Sequence, residues 1–172
     1  MDYPQRKLHR LQGYDYGQNG AYFVTICTRD KKPILCHVGN AVPGVPPAVT
    51  PTAVGEIVLA AWENMNRIDP DVRTDAFCLM PNHIHGIIRI DRPREPSETE
   101  RRGRRSLPEI VRGLKSVTTR AYNRLVPESE KNRLWQSSYY DVVIRSEAHY
   151  LAVWDYIAGN AARWTEDEYY TP

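Results

Sequence analysis

In the stretch CLMPNHIHGIIRI, residues 78–90, two of the chain's five histidines stand one residue apart within an otherwise apolar run. These are His83 and His85. In an extended strand, residues i and i+2 project to the same side. Both imidazoles therefore point one way, and Ile84, Ile88 and Ile90 point the other. Two neutral imidazoles converging on one point make half of a divalent-metal site. The competing reading is a strand whose polar face carries two solvated histidines.

A second candidate set lies in SEAHYLAVWDYIAGNAARW, residues 146–164. At about 100° per residue, His149, Tyr156, Asn160 and Arg163 share one arc of a helix. Tyr150, Trp154, Ile157 and Ala161 form the expected buried stripe. On this helix alone, Tyr156 reads as a packing residue and Asn160 as a solvated one, because the chain holds 11 tyrosines. Joined with the histidines, the set changes character. A phenolate can attack phosphorus and form a phosphotyrosine. Two imidazoles and an amide oxygen can hold Mg²⁺ or Mn²⁺ with positions left for phosphate oxygens.

The surrounding pattern predicts the elements that must position these groups. AYFVTICT, 21–28, reads as a strand. The Pro- and Gly-rich segment 38–53 reads as a loop. Residues 54–68 read as a helix with Ile57, Ala60, Ala61, Asn64, Met65 and Ile68 bracketing one face, stopped by Asp69-Pro70. VRTDAFCL, 72–79, pairs antiparallel with the histidine strand through Met80-Pro81-Asn82. Residues 92–106 are almost without apolar side chains and read as a mobile connection. Residues 106–125 form a helix with Ser106 as cap and Glu109 three residues on. Its stripe is Leu107, Ile110, Val111, Leu114, Val117 and Ala121. A strand over 134–145 and a helix capped by Ser146 follow. Strand, helix, strand, strand, helix, strand, helix is the order of an α+β, ferredoxin-like, four-stranded antiparallel sheet with helices packed on it. We expect one domain over 1–172.

Composition narrows the functional classes. No apolar run is long enough to span a bilayer. The N-terminal stretch MDYPQRKLHRLQGYDYG has no apolar signal-peptide core, so the cytoplasm is expected. Cys27, Cys36 and Cys78 are odd in number and show no C-x-x-C, so neither a disulfide framework nor a zinc cluster is indicated. Net charge is only +2, but it is uneven. RRGRR occupies 101–105, and Arg112, Lys115, Arg120 and Arg124 follow on the next helix. Arg102, Arg104, Arg105, Arg112, Lys115 and Arg120 are thus candidates for phosphate contacts. RRGRR also fits a solvated linker. Tyr139 and Tyr140 alternate across their strand, so only one can stack on a base.

LQGYDYGQNGAYFVTICT, FCLMPNHIHGII, WQSSYYDVVIR and DYIAGNAARW together resemble the small HUH-type single-tyrosine transposases. That family is insertion-sequence-200-like and includes the REP-associated tyrosine transposases. The resemblance implies the HUH endonuclease fold and the nicking and rejoining of single-stranded or hairpin DNA through a 5′-phosphotyrosine. It implies His83 and His85 as metal ligands, Asn160 as the amide completing the metal shell, and Tyr156 as nucleophile. Mg²⁺ or Mn²⁺ is the implied cofactor, and relatives act as monomers or homodimers. His149, two turns before Tyr156, is a candidate assisting group. Asn160-Ala161 departs from the Asn-Pro of many relatives but leaves the amide in place. A histidine-triad hydrolase would want a third histidine at Ile87. A DNA-binding regulator that keeps the fold without the chemistry is the remaining alternative. Tyr169 and Tyr170 are read as tail residues outside the site.

Overall fold

A computed structural model of the chain describes residue 11 and residues 13–39, 47–93 and 104–170. Six strands and four α-helices are present among them. The strands are β1 (Gly20–Cys27), β2 (Cys36–Val38), β3 (Val49–Pro51), β4 (Val72–Leu79), β5 (His83–Ile90) and β6 (Tyr140–Ile144). The helices are α1 (Ala53–Glu63), α2 (Met65–Ile68), α3 (Leu107–Leu125) and α4 (Glu147–Gly159).

The main sheet has the order β4-β5-β1-β6, and every neighbouring pair is antiparallel. This is the ferredoxin-like arrangement predicted from the element order. β5 lies in the interior of the sheet and is buried on both faces, apolar toward α1 and α3 but carrying His83, His85 and Ile87 on the other. Its even-numbered residues, Ile84, Ile88 and Ile90, join Tyr22, Val24 and Ile26 of β1 in the larger core. α1 and α3 cover that core with Val58, Trp62, Leu107, Ile110, Val111 and Leu114. The other sheet face carries a smaller apolar cluster of Phe23, Ala76, Ile87 and Ile157, and α4 packs there.

Capping chemistry sets the helix starts. The Glu109 carboxylate accepts from the Ser106 N–H at 2.8 Å, and Ser146 Oγ accepts from the His149 N–H at 3.2 Å. Both satisfy groups that a helix or its cap would otherwise leave open.

The expected loop over 38–53 holds β3, which pairs with β2 as a separate two-stranded ribbon. Pro51 is tolerated there because the ribbon is short and at an edge. Residues 40–46 of that segment, and 94–103 of the connection expected at 92–106, lie outside the described residues. The helix expected over 54–68 breaks at Asn64; Met65 is buried as expected, but Gly55, Val58 and Trp62 are buried with it, and Ala60, Asn64 and Ile68 are exposed. The reason is close packing. A Cβ on Gly55 would stand 2.0 Å from the Leu35 carbonyl oxygen, so the glycine lets the helix press against that backbone. The Trp62 ring occupies the side-chain space of Gly86, where a Cβ would lie 2.3 Å from it. On α3, Thr118 takes the buried position expected of Val117 and accepts the Trp135 indole N–H at 2.8 Å. On α4, Trp154 is 42% exposed, while Ile157 and Asn160 are buried.

Candidate active site

The strand register assembles the site. His85 of β5 sits opposite Thr25 of β1 on one side and Cys78 of β4 on the other. His83 and His85 project together onto the α4 face, and both are buried. Their Nε2 atoms lie 3.0 Å apart. Each Nδ1 has its own partner: His83 contacts Asn82 Oδ1 at 2.9 Å, and His85 contacts Thr25 Oγ1 at 2.8 Å. Asn82 Oδ1 can only accept, so the His83 proton sits on Nδ1 and the Nε2 lone pair is left pointing inward. The same holds for His85 when it donates to Thr25. Anchoring of this kind fixes tautomer and ring orientation for metal ligation.

A carboxylate completes the cluster. Asp167 Oδ2 stands 3.9 Å from His83 Nε2. One ligand atom each from His83, His85 and Asp167 falls within 4.8 Å of the others. Asp167 arrives because the chain leaves α4 through a 3-10 turn, Ala161–Glu166, and folds back over the histidines. The Tyr169 ring then packs on His83 with centroids 4.8 Å apart, and its carbonyl accepts from Asn82 Nδ2 at 2.7 Å. Asn160 lies at the end of α4 with its Oδ1 buried and without a hydrogen-bond partner among the described residues.

Tyr156 reaches the same point from the same chain. Its hydroxyl is 3.4 Å from His85 Nε2, and its ring meets His85 and Phe23 edge-on.

The electrostatics follow from burial. Desolvation pushes His83 down to about 2, with His85 and Lys31 adding to the shift, and His85 down to about 3. Both imidazoles are therefore neutral at pH 7, as ligation demands. Burial raises the Tyr156 phenol above its ordinary value. The Asp167 charge adds to this, and the Asn160 amide opposes it. Burial also raises Asp167.

These residues fit a divalent cation. Adjacent ligands of an octahedral ion bonded at about 2.1 Å stand about 3.0 Å apart, which matches the Nε2 pair. An unpartnered buried amide oxygen at Asn160 and a nearby carboxylate are the donor types such an ion takes. The Asp167 carboxylate is one the sequence reading missed.

Lys31 was also missed. Its ammonium lies over the Tyr169 ring, 4.9 Å from the centroid. Asp30 and Lys31 hold φ of 56° and 52°, a left-handed pair that non-glycine residues adopt at a cost. That turn aims Lys31 at the cluster.

Other candidates fall elsewhere. His149 begins α4, about 10 Å along the axis from Tyr156, too far to take its proton. Arg105 bonds Asp69 at 3.1 Å. With Arg120 it lines a 230 Å³ cavity between α1, α2 and α3, on the sheet face opposite the histidines. Lys115 is held by the carbonyls of Gln136, Ser137 and Ser138 at 3.0, 3.5 and 2.7 Å. Arg112 is largely exposed, 3.9 Å from Glu109. Arg104 donates to the Pro93 carbonyl, and Arg102 lies outside the described residues.

A ferredoxin-like sheet whose one face gathers two imidazoles, a carboxylate, an amide and a phenol has the parts of a metal-assisted phosphoryl-transfer site. Residues 62–160 match the family described as "Transposase IS200 like". An uncharacterised protein of Haemophilus influenzae is 33% identical over 176 residues, covering 96% of this chain and 93% of that one. The chain belongs to the IS200-like transposase family. A REP-associated tyrosine transposase solved with a REP hairpin shares the fold at a TM-score of 0.58, with 18% identity, over 90% of this chain and 73% of that one. A putative transposase from Deinococcus radiodurans superposes with a TM-score of 0.49 and 17% identity, over 87% of this chain and 95% of that one. Among the described residues no helix is long and apolar enough to cross a membrane.

Proposed function

We propose that the protein nicks and rejoins single-stranded DNA, presented beside a hairpin, through a covalent 5′-phosphotyrosine at Tyr156. The observation that carries this reading is the Tyr156 hydroxyl, 3.4 Å from His85 Nε2, itself 3.0 Å from His83 Nε2. His83, His85, Asp167 and the Asn160 amide oxygen would hold Mg²⁺ or Mn²⁺. The ion would supply positive charge to the scissile phosphate and to the attacking phenol oxygen.

The residues of the chain supply the rest. Neutral, anchored imidazoles keep the ligand lone pairs directed at one point. The rigid end of α4 holds the Tyr156 oxygen at the edge of the cluster, positioned to attack a phosphate there. The Asn160 amide stabilises the phenolate form, against the burial that disfavours it. The phenolate oxygen forms a bond to phosphorus as the bond from phosphorus to the upstream O3′ breaks, and that oxygen leaves as a 3′-hydroxyl after taking up a proton. The phosphoester bond is exchanged, not hydrolysed. A 3′-hydroxyl can therefore attack the phosphotyrosine and restore a strand, with no nucleotide cofactor. The REP hairpin held by the fold relative supports hairpin DNA as the partner.

Incubating the protein with hairpin DNA bearing single-stranded flanks and Mn²⁺ tests this. A covalent protein–DNA band that survives denaturation, and is lost with chelator, is expected. Its absence across a randomised flank pool overturns the proposal.

A further inference from the structure

We infer that the cleft between β1 and the Gln136–Tyr140 segment is a binding site for one nucleobase flanking the scissile phosphate, read by Gln136 and stacked on Tyr140. The inference rests on the nicking reading for the position of that phosphate.

The cleft has a volume of about 160 Å³ and is lined by Thr25, Cys27, Gln136, Ser138, Tyr140 and Tyr169, among others. It opens directly beside the histidine cluster. Thr25 forms its floor and also holds His85 Nδ1. Tyr169 forms one wall and packs on His83. The register runs His85, Thr25, Tyr140 straight across β5, β1 and β6. Directly paired residues share a face, and strands lie about 4.8 Å apart. Tyr140 therefore stands about 10 Å from His85 on the same side, comparable with the span from a backbone phosphate to the far edge of its own base. It is 44% exposed, whereas Tyr139 is buried.

The chemistry of the walls selects the ligand. Hydroxyl, thiol, amide and aromatic groups line the cleft, and among the described residues no cation does. The nearest ammonium groups are engaged, Lys115 on the 136–138 carbonyls and Lys31 over the Tyr169 ring. A neutral planar heterocycle suits such walls; a phosphate does not. The side-chain amide of Gln136 has no hydrogen-bond partner among the described residues, although its own N–H is fixed to the Cys27 carbonyl at 3.0 Å. It offers one donor and one acceptor edge to a base. The Lys115 clamp keeps the segment in place before DNA arrives, so little ordering is needed on binding.

Two measurements with hairpin DNA carrying randomised single-stranded flanks test the inference. In the first, the Tyr156→Phe protein is irradiated with pools containing iododeoxyuridine in the flanks, and the crosslinked residue is mapped by mass spectrometry. A crosslink at Tyr140 is expected, and Tyr140→Ala should remove it and lower affinity about tenfold, within the usual range for a stacked base. In the second, covalent adducts of the wild-type protein are sequenced. A base preference at one position next to the cut is expected, and Gln136→Leu should flatten it among the adducts that form. Adducts without base preference, together with crosslinks elsewhere, overturn the inference and leave the nicking reading standing. A Tyr140 crosslink without any adduct keeps the base site and overturns the nicking reading.

Discussion

The two faces of the four-stranded sheet are built from the same strands and differ in kind. Toward α1 and α3 the strands present Tyr22, Val24, Ile26, Ile84, Ile88 and Ile90, a close-packed apolar layer. Toward α4 the same strands present Thr25, His83 and His85 beside a smaller apolar patch, Phe23, Ala76 and Ile87 packed with Ile157 of α4. Buried polar groups contribute little net stability even when paired, and they cost stability when left unpaired. The first face therefore holds the fold, and the second carries groups whose arrangement the first must enforce. Gly86 marks the join: between His85 and Ile87 it yields its side-chain space to Trp62. The glycine after the two histidines thus serves the opposite face.

The largest effect expected from breaking this division is at Tyr156. It is 38% exposed, and Tyr156→Phe removes one oxygen at nearly constant volume. We expect adduct formation to fall by more than about a thousandfold, or about 4 kcal/mol, with the melting temperature unchanged. Tyr169→Phe is the sharper control, since its ring also touches the histidines. It should still form adduct, because burial and the neighbouring Glu168 both oppose its ionisation. An adduct in Tyr156→Phe that is lost in Tyr169→Phe would reverse the assignment. On the other face, Ile88→Ala should cost about 2–5 kcal/mol in denaturant titration. The remaining folded protein should bind Mn²⁺ as the wild type does. A loss of Mn²⁺ affinity would show that the faces are not separable.

Much of this division is legible in the sequence, and what is not has a common cause. Alternation along β5 separates His83 and His85 from Ile84 and Ile88, and Ser106 and Ser146 announce the helices they cap. Those signals are local. Asp167 and Tyr169 reach the site only because the chain turns back after α4, and no spacing near His83 encodes a partner 84 positions later. Trp62 rather than Ala60 faces the core because Gly86 makes room for it, which a helical pattern alone does not reveal. The basic set reads as one patch in sequence and is divided in space, Arg105 and Arg120 facing a cavity far from the histidines. Lys115 carries the charge a phosphate contact needs, but three carbonyls already take its ammonium.

Acid should expose the cost of the chemical face. His83 and His85 titrate in the folded protein well below the ordinary value of 6.5. Below 6.5 the unfolded chain takes up protons that the folded chain does not, so stability falls as pH falls. Above 6.5 both states are neutral and this contribution is constant. Between pH 7 and about pH 5.5 the pair should therefore lose stability together, by an amount on the order of 2 kcal/mol. Denaturant titrations in chelator at the two pH values measure it. The raised carboxyl of Asp167 acts in the opposite sense, so a His83→Asn/His85→Asn variant isolates the histidines. An equal pH dependence in that variant would place the titrating groups elsewhere.

The smallest effect separates two cations one turn apart on α3. Arg112 is exposed, and its pairing with Glu109 at 3.9 Å is a surface contact of the kind that contributes less than about 0.5 kcal/mol. Arg112→Ala should therefore leave the melting temperature unchanged. If Arg112 neutralises one phosphate of the single strand, the substitution should lower the slope of log affinity against log salt by about 0.7. Lys115→Ala should behave in the reverse way. It frees the carbonyls of Gln136 and Ser138 and removes the ammonium beside the Tyr139 ring. The melting temperature should drop, and the 134–140 segment should become sensitive to protease, with the salt slope intact. Fluorescence anisotropy of labelled hairpin DNA across a salt series, paired with thermal melts, distinguishes the two. A reduced slope at constant melting temperature for Lys115→Ala would return that residue to the phosphate contacts and leave the 136–138 loop without its clamp.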